Sequence, residues 1–108
     1  MIQEITAKEL SLRLERGEPT VLVDVRQPWE FEFGAIAGSK LIPLNELAQR
    51  VGEIEAPSGA MIVTVCHHGV RSMHAAIFLA RSGLENVCSL AGGTDAWSVD
   101  VDPALPRY

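Results

Sequence analysis

Two short runs of apolar, largely β-branched residues dominate the hydrophobic pattern of the chain. They are residues 21–25, VLVDV, and residues 61–65, MIVTV. Continuous apolar runs of this length are typical of strands buried on both faces of a parallel sheet. Weaker runs predict further strands at residues 2–5, 40–42 and 87–90. We therefore expect five strands.

Helical signals lie between the predicted strands. Thr6 and Glu9 form a capping box ahead of the first helix, which Gly17 ends. Asn45 and Ser72 are the predicted capping residues of two later helices. Further helices are predicted at residues 28–33, 45–51, 72–81 and 94–97. This alternation indicates an α/β fold, with a central, mostly parallel five-stranded sheet and helices on both faces, in a single domain over residues 1–108.

Composition excludes several classes of protein. Apolar residues make up 47% of the chain and charged residues 21%, which is ordinary for a globular domain. The net charge is −5 and the basic residues are scattered, which argues against nucleic-acid binding and against a membrane-surface role. No apolar run approaches the roughly 20 residues that cross a bilayer. Residues 1–4 lack a secretion signal, so a cytoplasmic location is expected.

Cys66 is the candidate nucleophile. It directly follows the strand predicted at 61–65 and precedes the helix predicted at 72–81. Ligands of parallel sheets bind beyond the carboxyl ends of the strands. Unpaired N–H groups and the helix dipole at a helix start lower the pKa of a nearby thiol, and the thiolate is the attacking species.

The second cysteine carries less information. Cys88 lies within the strand predicted at 87–90, which favours a small buried side chain, while a role as resolving partner of Cys66 stays open. There is no C-x-x-C pair, which argues against a dithiol and a zinc knuckle. A zinc site formed by Cys66, His67, His68 and His74 would match no standard spacing and would block the nucleophile. No metal or cofactor is predicted.

Four motifs in order resemble those of the rhodanese family of sulfurtransferases. Residues 24–30 resemble D-V-R-x-x-x-E, residues 34–39 G-H-I-x-G-A, residues 66–72 C-x-x-G-x-R-S, and residues 90–97 L-x-G-G-x-x-A-W. The chain departs from the family at Ala35, where many members carry histidine, and at Ser39, where alanine is usual. The resemblance implies that a sulfane sulfur moves onto Cys66 as a persulfide and then onto an acceptor. The donor and acceptor are small molecules such as thiosulfate and cyanide, or a protein thiol or persulfide.

The loop that follows Cys66 suits this chemistry. A persulfide carries its charge on the outer sulfur, and a short loop that wraps around it directs several N–H groups at that atom. Gly69 suits the positive φ of a tight wrap, and Val70 contributes its backbone. Arg71 is the expected charge partner of a sulfonate-like group. The proposal requires a curled loop and a thiol that is not sealed in the core.

The other side chains of the loop are less specific. Adjacent loop side chains usually diverge, so at most one of His67 and His68 should face the pocket, where it could orient substrate. Ser72 is expected to cap the helix, with a hydroxyl contact to substrate as a second role.

Three residues outside the loop are predicted to support it. Asp24 and Arg26 could pair with each other or with Glu30 and so fix the loops at the sheet edge. A structural role for all three is favoured over contact with substrate.

Two other interpretations stay open. A cysteine phosphatase or arsenate reductase also places Cys and Arg around an anion, but the phosphatase motif has five intervening residues, whereas residues 67–70 number four. The chain could also be a non-catalytic or persulfide-carrier module that binds a partner protein. The oligomeric state is left undetermined by the sequence.

Overall fold

Five parallel strands form the sheet of the computed structural model, which describes residues 2–108. Met1, part of the stretch used above to argue against a secretion signal, lies outside the described residues. The strand order is β1-β5-β4-β2-β3, and each pairing is parallel. The strands are β1 (Gln3–Ile5), β2 (Thr20–Asp24), β3 (Lys40–Leu41), β4 (Met61–Val65) and β5 (Val87–Leu90). The predicted α/β class and five-stranded sheet are confirmed, and the apolar strands β2 and β4 lie side by side within the sheet.

Helices connect the strands. They are α1 (Ala7–Glu15), α2 (Pro28–Phe33), α3 (Leu47–Arg50), α4 (Val70–Arg81) and α5 (Gly93–Asp100), with 3₁₀ turns at Leu44–Glu46 and Val51–Glu53. The predicted capping box is present, because the Glu9 N–H donates to Thr6 Oγ1 and the Thr6 N–H donates to Glu9 Oε1. Helix α5 is longer than the single turn predicted at 94–97. None of the helices described is long and apolar enough to span a membrane.

Two predicted caps are wrong. Asn45 lies inside the 3₁₀ turn Leu44–Glu46, and Pro43 precedes that turn. Helix α4 begins at Val70 because Gly69, with a φ of 108°, turns the chain into the helix two residues before Ser72. Ser72 therefore lies in the first turn of α4 with a buried side chain.

The core has two parts, one on each face of the sheet. Because side chains alternate along a strand, Val63 and Val65 of β4 point to one face, with Leu10 of α1 and Trp97 of α5. Ile62 points to the other face, with residues of α3 and α4. Cys66 belongs to this second cluster. The predicted helices on both faces are thus confirmed, and α4 covers the face on which the candidate nucleophile lies.

Candidate active site

Cys66 is the first residue beyond β4, as predicted, and its side chain is held by its own loop. The Gly69 N–H donates to Cys66 Sγ at 3.0 Å, and the Cys66 thiol donates to Ser72 Oγ at 3.4 Å. Cys66 is only 1% exposed. The sequence predicted several N–H groups on this sulfur, and in the structure a single backbone N–H bonds to it. The expectation of a thiol that is not sealed in the core is contradicted, because Cys66 belongs to the buried cluster that contains Ile62, so sulfur reaches it only when the loop opens.

The remaining amides of the loop are free. Within residues 2–108, the backbone N–H groups of five positions donate to no protein acceptor. These positions are His67, His68, Val70, Arg71 and Ser72. The Val70 side chain is exposed, so only the backbone of this residue belongs to the site. The loop therefore offers a set of unused donors within a few residues of the thiol.

Helix α5 sets the direction of two of these amides. The Thr94 N–H donates to the Cys66 carbonyl at 2.8 Å, and the Asp95 N–H donates to the His67 carbonyl at 3.1 Å. In a trans peptide group, the N–H points away from the C=O. Because α5 binds these two carbonyls, the N–H groups of His67 and His68 point to the opposite side, away from α5.

Glycines allow this close contact between α5 and the loop. A Cβ atom on Gly93, which has a φ of 59°, would overlap the carbonyl oxygens of Cys66 and His67. A Cβ atom on Gly69 would lie 3.3 Å from the Gly92 nitrogen. The sequence identified Gly92 and Gly93 only as a turn. Their contact with the Cys66 loop joins segments far apart in sequence. The one sign of it in the sequence was that the motifs at residues 66–72 and 90–97 both resemble motifs of the same family.

Arg71 is engaged by Glu30. The two ends of the guanidinium donate to the two carboxylate oxygens at 2.7 and 2.9 Å. These bonds from Arg71 lower the pKa of Glu30 to about 2, against the opposing effect of burial, and the same contact raises the pKa of Arg71. The sequence predicted Arg71 as a partner of substrate. A guanidinium has five N–H donors, so three remain for a ligand.

Asp24 and Arg26 pair with each other, one of the two arrangements predicted. Both side chains are fully buried, and Arg26 Nη2 donates to Asp24 Oδ2 at 2.7 Å. Arg26 also donates to the carbonyls of Glu30 and Gly34, at 3.3 and 2.8 Å. Glu30 is therefore bound to Arg26 through its backbone and to Arg71 through its side chain. The pair fixes the turn that carries Glu30 to the loop.

His67 and His68 do not diverge, contrary to expectation. Their ring centroids are 3.8 Å apart, and His67 also stacks on Tyr108 at 3.9 Å with an angle of 9° between the planes. Burial, and then the charge of His68, lower the pKa of His67. His67 Nε2 is buried and has no hydrogen-bond partner among residues 2–108. The tight curl of the loop and the platform formed by Tyr108 bring the rings together.

Tyr108 is a site residue that the sequence did not identify. Its hydroxyl accepts from Arg26 Nη1 at 2.9 Å and donates to Glu30 Oε2 at 2.7 Å. The tail was predicted to pack on the surface without regular structure, and residues 101–108 contain no helix or strand. No motif marks Tyr108, because its contacts join residues far apart in sequence.

Ser72 links the thiol to the neighbouring strands. Its hydroxyl lies 2.7 Å from Ser89 Oγ, and its carbonyl accepts from Thr64 Oγ1 at 2.7 Å. All three side chains are fully buried. Thr64 and Ser89 were not identified from the sequence. Their position as polar residues within otherwise apolar strands could have indicated that they contact the site. Within residues 2–108, no group of three or more His, Cys, Asp or Glu residues could hold a metal ion.

Known proteins of similar sequence carry sulfurtransferase names. The chain is 36% identical over 98 residues to a sulfurtransferase of Allochromatium vinosum, covering 91% of this chain and 90% of that protein. It is 35% identical over 109 residues to an adenylyltransferase and sulfurtransferase of Zea mays, covering 96% of this chain and 23% of that protein. The chain thus spans about a quarter of the length of the maize relative.

A solved structure is similar over the whole length. The rhodanese-like domain protein from Staphylococcus aureus has a TM-score of 0.83 and 29% identity, with 99% of each chain covered. The family model described as the rhodanese-like domain matches residues 6–100, which contain the Cys66 loop, its α5 anchor and the Asp24–Glu30 segment. On this match, the chain belongs to the rhodanese-like domain family.

Proposed function

We propose that this protein is a sulfurtransferase that carries sulfane sulfur as a persulfide on Cys66. The observation that carries the proposal is the set of unpaired backbone amides that follows this thiol. A persulfide has a terminal anionic sulfur, which such amides stabilise as an anion-binding nest. A neutral thiol needs none of them, so this set of unused donors suits a negatively charged group.

The reaction consists of two transfers of one sulfur atom, first to Cys66 and then to the acceptor. The Cys66 thiolate attacks the outer sulfur of thiosulfate, a new S–S bond forms, the old one breaks, and sulfite leaves with the electron pair. Cyanide or a thiolate then attacks the terminal sulfur of the persulfide, and the Cys66 thiolate is regenerated. No net oxidation of the protein takes place, and no cofactor or metal enters this scheme.

Each residue of the loop has a distinct role in this scheme. The Gly69 N–H stays on Sγ, while the N–H groups of the other loop residues bind the terminal sulfur. The three unused donors of Arg71 bind the sulfonate end of the donor, since guanidinium groups bind such oxyanions well. Ser72 orients Sγ through its hydroxyl. His67 and His68 border the loop and take no part in proton transfer.

Mass spectrometry of the intact protein tests the proposal. Incubation with thiosulfate, followed by removal of the excess, should add the mass of one sulfur atom, and cyanide should remove it. Cys66→Ser should stay unmodified, while Cys88→Ala should behave like the wild type. Absence of the added sulfur in the wild type, or its location on Cys88, would show that the assignment is wrong.

A carrier role is the second candidate, and the Arg71–Glu30 pair favours it. Neutralisation by Glu30 leaves less positive charge for a small dianion than a free arginine would. A protein persulfide in a cytoplasmic pathway would then supply the sulfur, and residues 1–108 would act as one domain of that relay. Slow turnover with thiosulfate, together with fast sulfur uptake from a protein persulfide, would select this role. Turnover of p-nitrophenyl phosphate without sulfur transfer would instead select a phosphatase.

A further inference from the structure

Tyr108 contacts one end of the Cys66 loop directly and the other end through Glu30. Its ring stacks on His67, the residue directly after the nucleophile. Its hydroxyl donates to Glu30 Oε2, and the same oxygen accepts from Arg71 Nη2, at the far end of the loop. Tyr108 therefore clamps the loop directly at His67 and, through Glu30, at Arg71.

The segment that carries Tyr108 is itself anchored. Arg107 Nε donates to Asp95 Oδ1 at 2.8 Å, and the Ser98 hydroxyl donates to the Leu105 carbonyl at 2.8 Å. Leu105 is buried in the core beside Trp97. Residues 101–108 thus form a strap along α5, and they lie outside the part of the chain that the family model matches.

The aromatic surroundings extend the clamp. Trp29 and Phe33 of α2 make edge contacts with the Tyr108 ring at 5.7 and 5.4 Å between centroids. Both are exposed, at 61% and 50%. Tyr108 therefore occupies the space between α2 and the loop, on the side of the loop that carries Arg71 and His67.

This arrangement has a consequence for access. Cys66 is 1% exposed, so the loop or the strap must move before a reagent reaches Sγ, and a bulky reagent needs the larger movement. Tyr108 holds His67 by stacking and braces Glu30, which holds Arg71, so a movement of the loop breaks the stack on His67 or the Arg71–Glu30 pair. We propose that Tyr108 is a specificity-determining residue that admits small sulfur donors and acceptors to Cys66 and excludes bulky ones. That the small molecules are sulfur donors and acceptors rests on the proposed function, whereas the control of access to Cys66 by Tyr108 does not.

Thiol labelling tests the clamp without any sulfur transfer. Iodoacetamide serves as the small reagent and 5,5′-dithiobis(2-nitrobenzoate) as the bulky one, with peptide mass mapping to separate Cys66 from Cys88. Tyr108→Ala should increase the rate of the bulky reagent at Cys66 about tenfold or more, because the local opening that limits this rate becomes easier. The iodoacetamide rate should change by less than about threefold. Tyr108→Phe, which keeps the ring and loses the hydroxyl, should fall between wild type and Tyr108→Ala.

Two controls make the result decisive. Phe78→Ala removes an aromatic ring of almost equal exposure, 38% against 37% for Tyr108, from a part of α4 about 12 Å along the helix from the loop. It should leave both rates unchanged. Cys88 reports general loosening, so a parallel increase at Cys88 in Tyr108→Ala would overturn the proposal. An unchanged ratio of bulky to small rates at Cys66 would also overturn it.

The outcome is independent of the persulfide assignment. If labelling follows the expected pattern but thiosulfate adds no sulfur, the clamp stands and the proposed function fails. If sulfur is added but Tyr108→Ala leaves the bulky rate unchanged, the proposed function stands and the clamp fails.

Discussion

Cys66, directly after β4, and Cys88, within the neighbouring strand β5, are buried to almost the same extent, at 1% and 5% exposure, yet their surroundings differ in kind. Cys88 lies within β5, opposite Val63 of β4, in an apolar cluster. Burial raises the pKa of its thiol to about 11. Cys66 lies one residue beyond its strand, bonded to the Gly69 N–H and to Ser72. Burial alone therefore does not decide the chemistry of a cysteine, since the donors around the sulfur differ.

The largest effect is expected when the Cys66 sulfur is replaced, and the replacement of the Cys88 sulfur is its matched control. Cys66→Ser should reduce sulfur transfer by about a thousandfold or more, because the attacking atom is lost. Cys88→Ala should keep the rate within about twofold and cost about 1 kcal/mol of stability, since it removes one buried atom. Thiosulfate:cyanide turnover and thermal unfolding measure the two quantities. Comparable activity losses in both variants would show that the two cysteines do not differ in function as their surroundings indicate.

The contact between α5 and the loop gives the next largest effect. Gly93→Ala combines an unfavourable positive φ with overlap onto the Cys66 and His67 carbonyls, so it should cost about 2–4 kcal/mol and displace the loop. Gly59→Ala is the matched control, because Gly59 also has a positive φ, of 83°, but open space around it. It should cost about 1 kcal/mol and leave turnover intact. Urea unfolding measures the loss of stability, and sulfur-transfer turnover measures the displacement of the loop. Equal turnover in the two variants would contradict the predicted displacement.

The Arg71–Glu30 ion pair at the Cys66 loop gives a third test. The pKa of Glu30 is lowered from 4.5 to about 2, so its contribution to stability is complete above pH 4.5 and is lost as the pH falls towards 2. Glu30→Gln should cost up to about 3 kcal/mol at neutral pH and flatten the acid limb of the stability curve. Glu32→Gln, on the exposed side of α2, should do neither. An acid limb unchanged in Glu30→Gln would refute the assignment.

The smallest effect concerns the hydroxyl contact of Cys66. Ser72→Ala should cost about 1–2 kcal/mol, because it leaves Ser89 Oγ buried without its partner. Ser72→Ala combined with Ser89→Ala should cost less than the sum of the single changes, since both members of the pair are then absent. A double-mutant cycle measures this difference, and strict additivity would show that the two hydroxyls are not coupled.

Much of the fold was predictable from local pattern. The apolar runs at 21–25 and 61–65 identified β2 and β4 because strands buried on both faces need continuous apolar sequence. The capping box at Thr6 was predictable because its partners are three residues apart. The cap at Ser72 failed because Gly69, through its backbone conformation, starts α4 earlier, and residue preference alone does not reveal this.

The site was predictable only in part, for a related reason. Cys66 could be identified from the end of a strand and a short loop. The Arg71–Glu30 pair, the α5 contacts with the loop carbonyls and the position of Tyr108 join residues separated by 25 or more positions. Such contacts depend on which strands are neighbours in the sheet. Local spacing contains no information about that order.

The contacts of the Cys66 and His67 carbonyls with Thr94 and Asp95 also bear on the timing of folding. These donors follow β5, the last strand in the chain, which must first align beside β4. A ribosome-bound chain that has emerged only as far as α4 thus has the cysteine but not the anchored loop. The Cys66 loop is therefore anchored only after β5 and α5 have emerged, and the labelling rate of Cys66 becomes a reporter of the docking of α5.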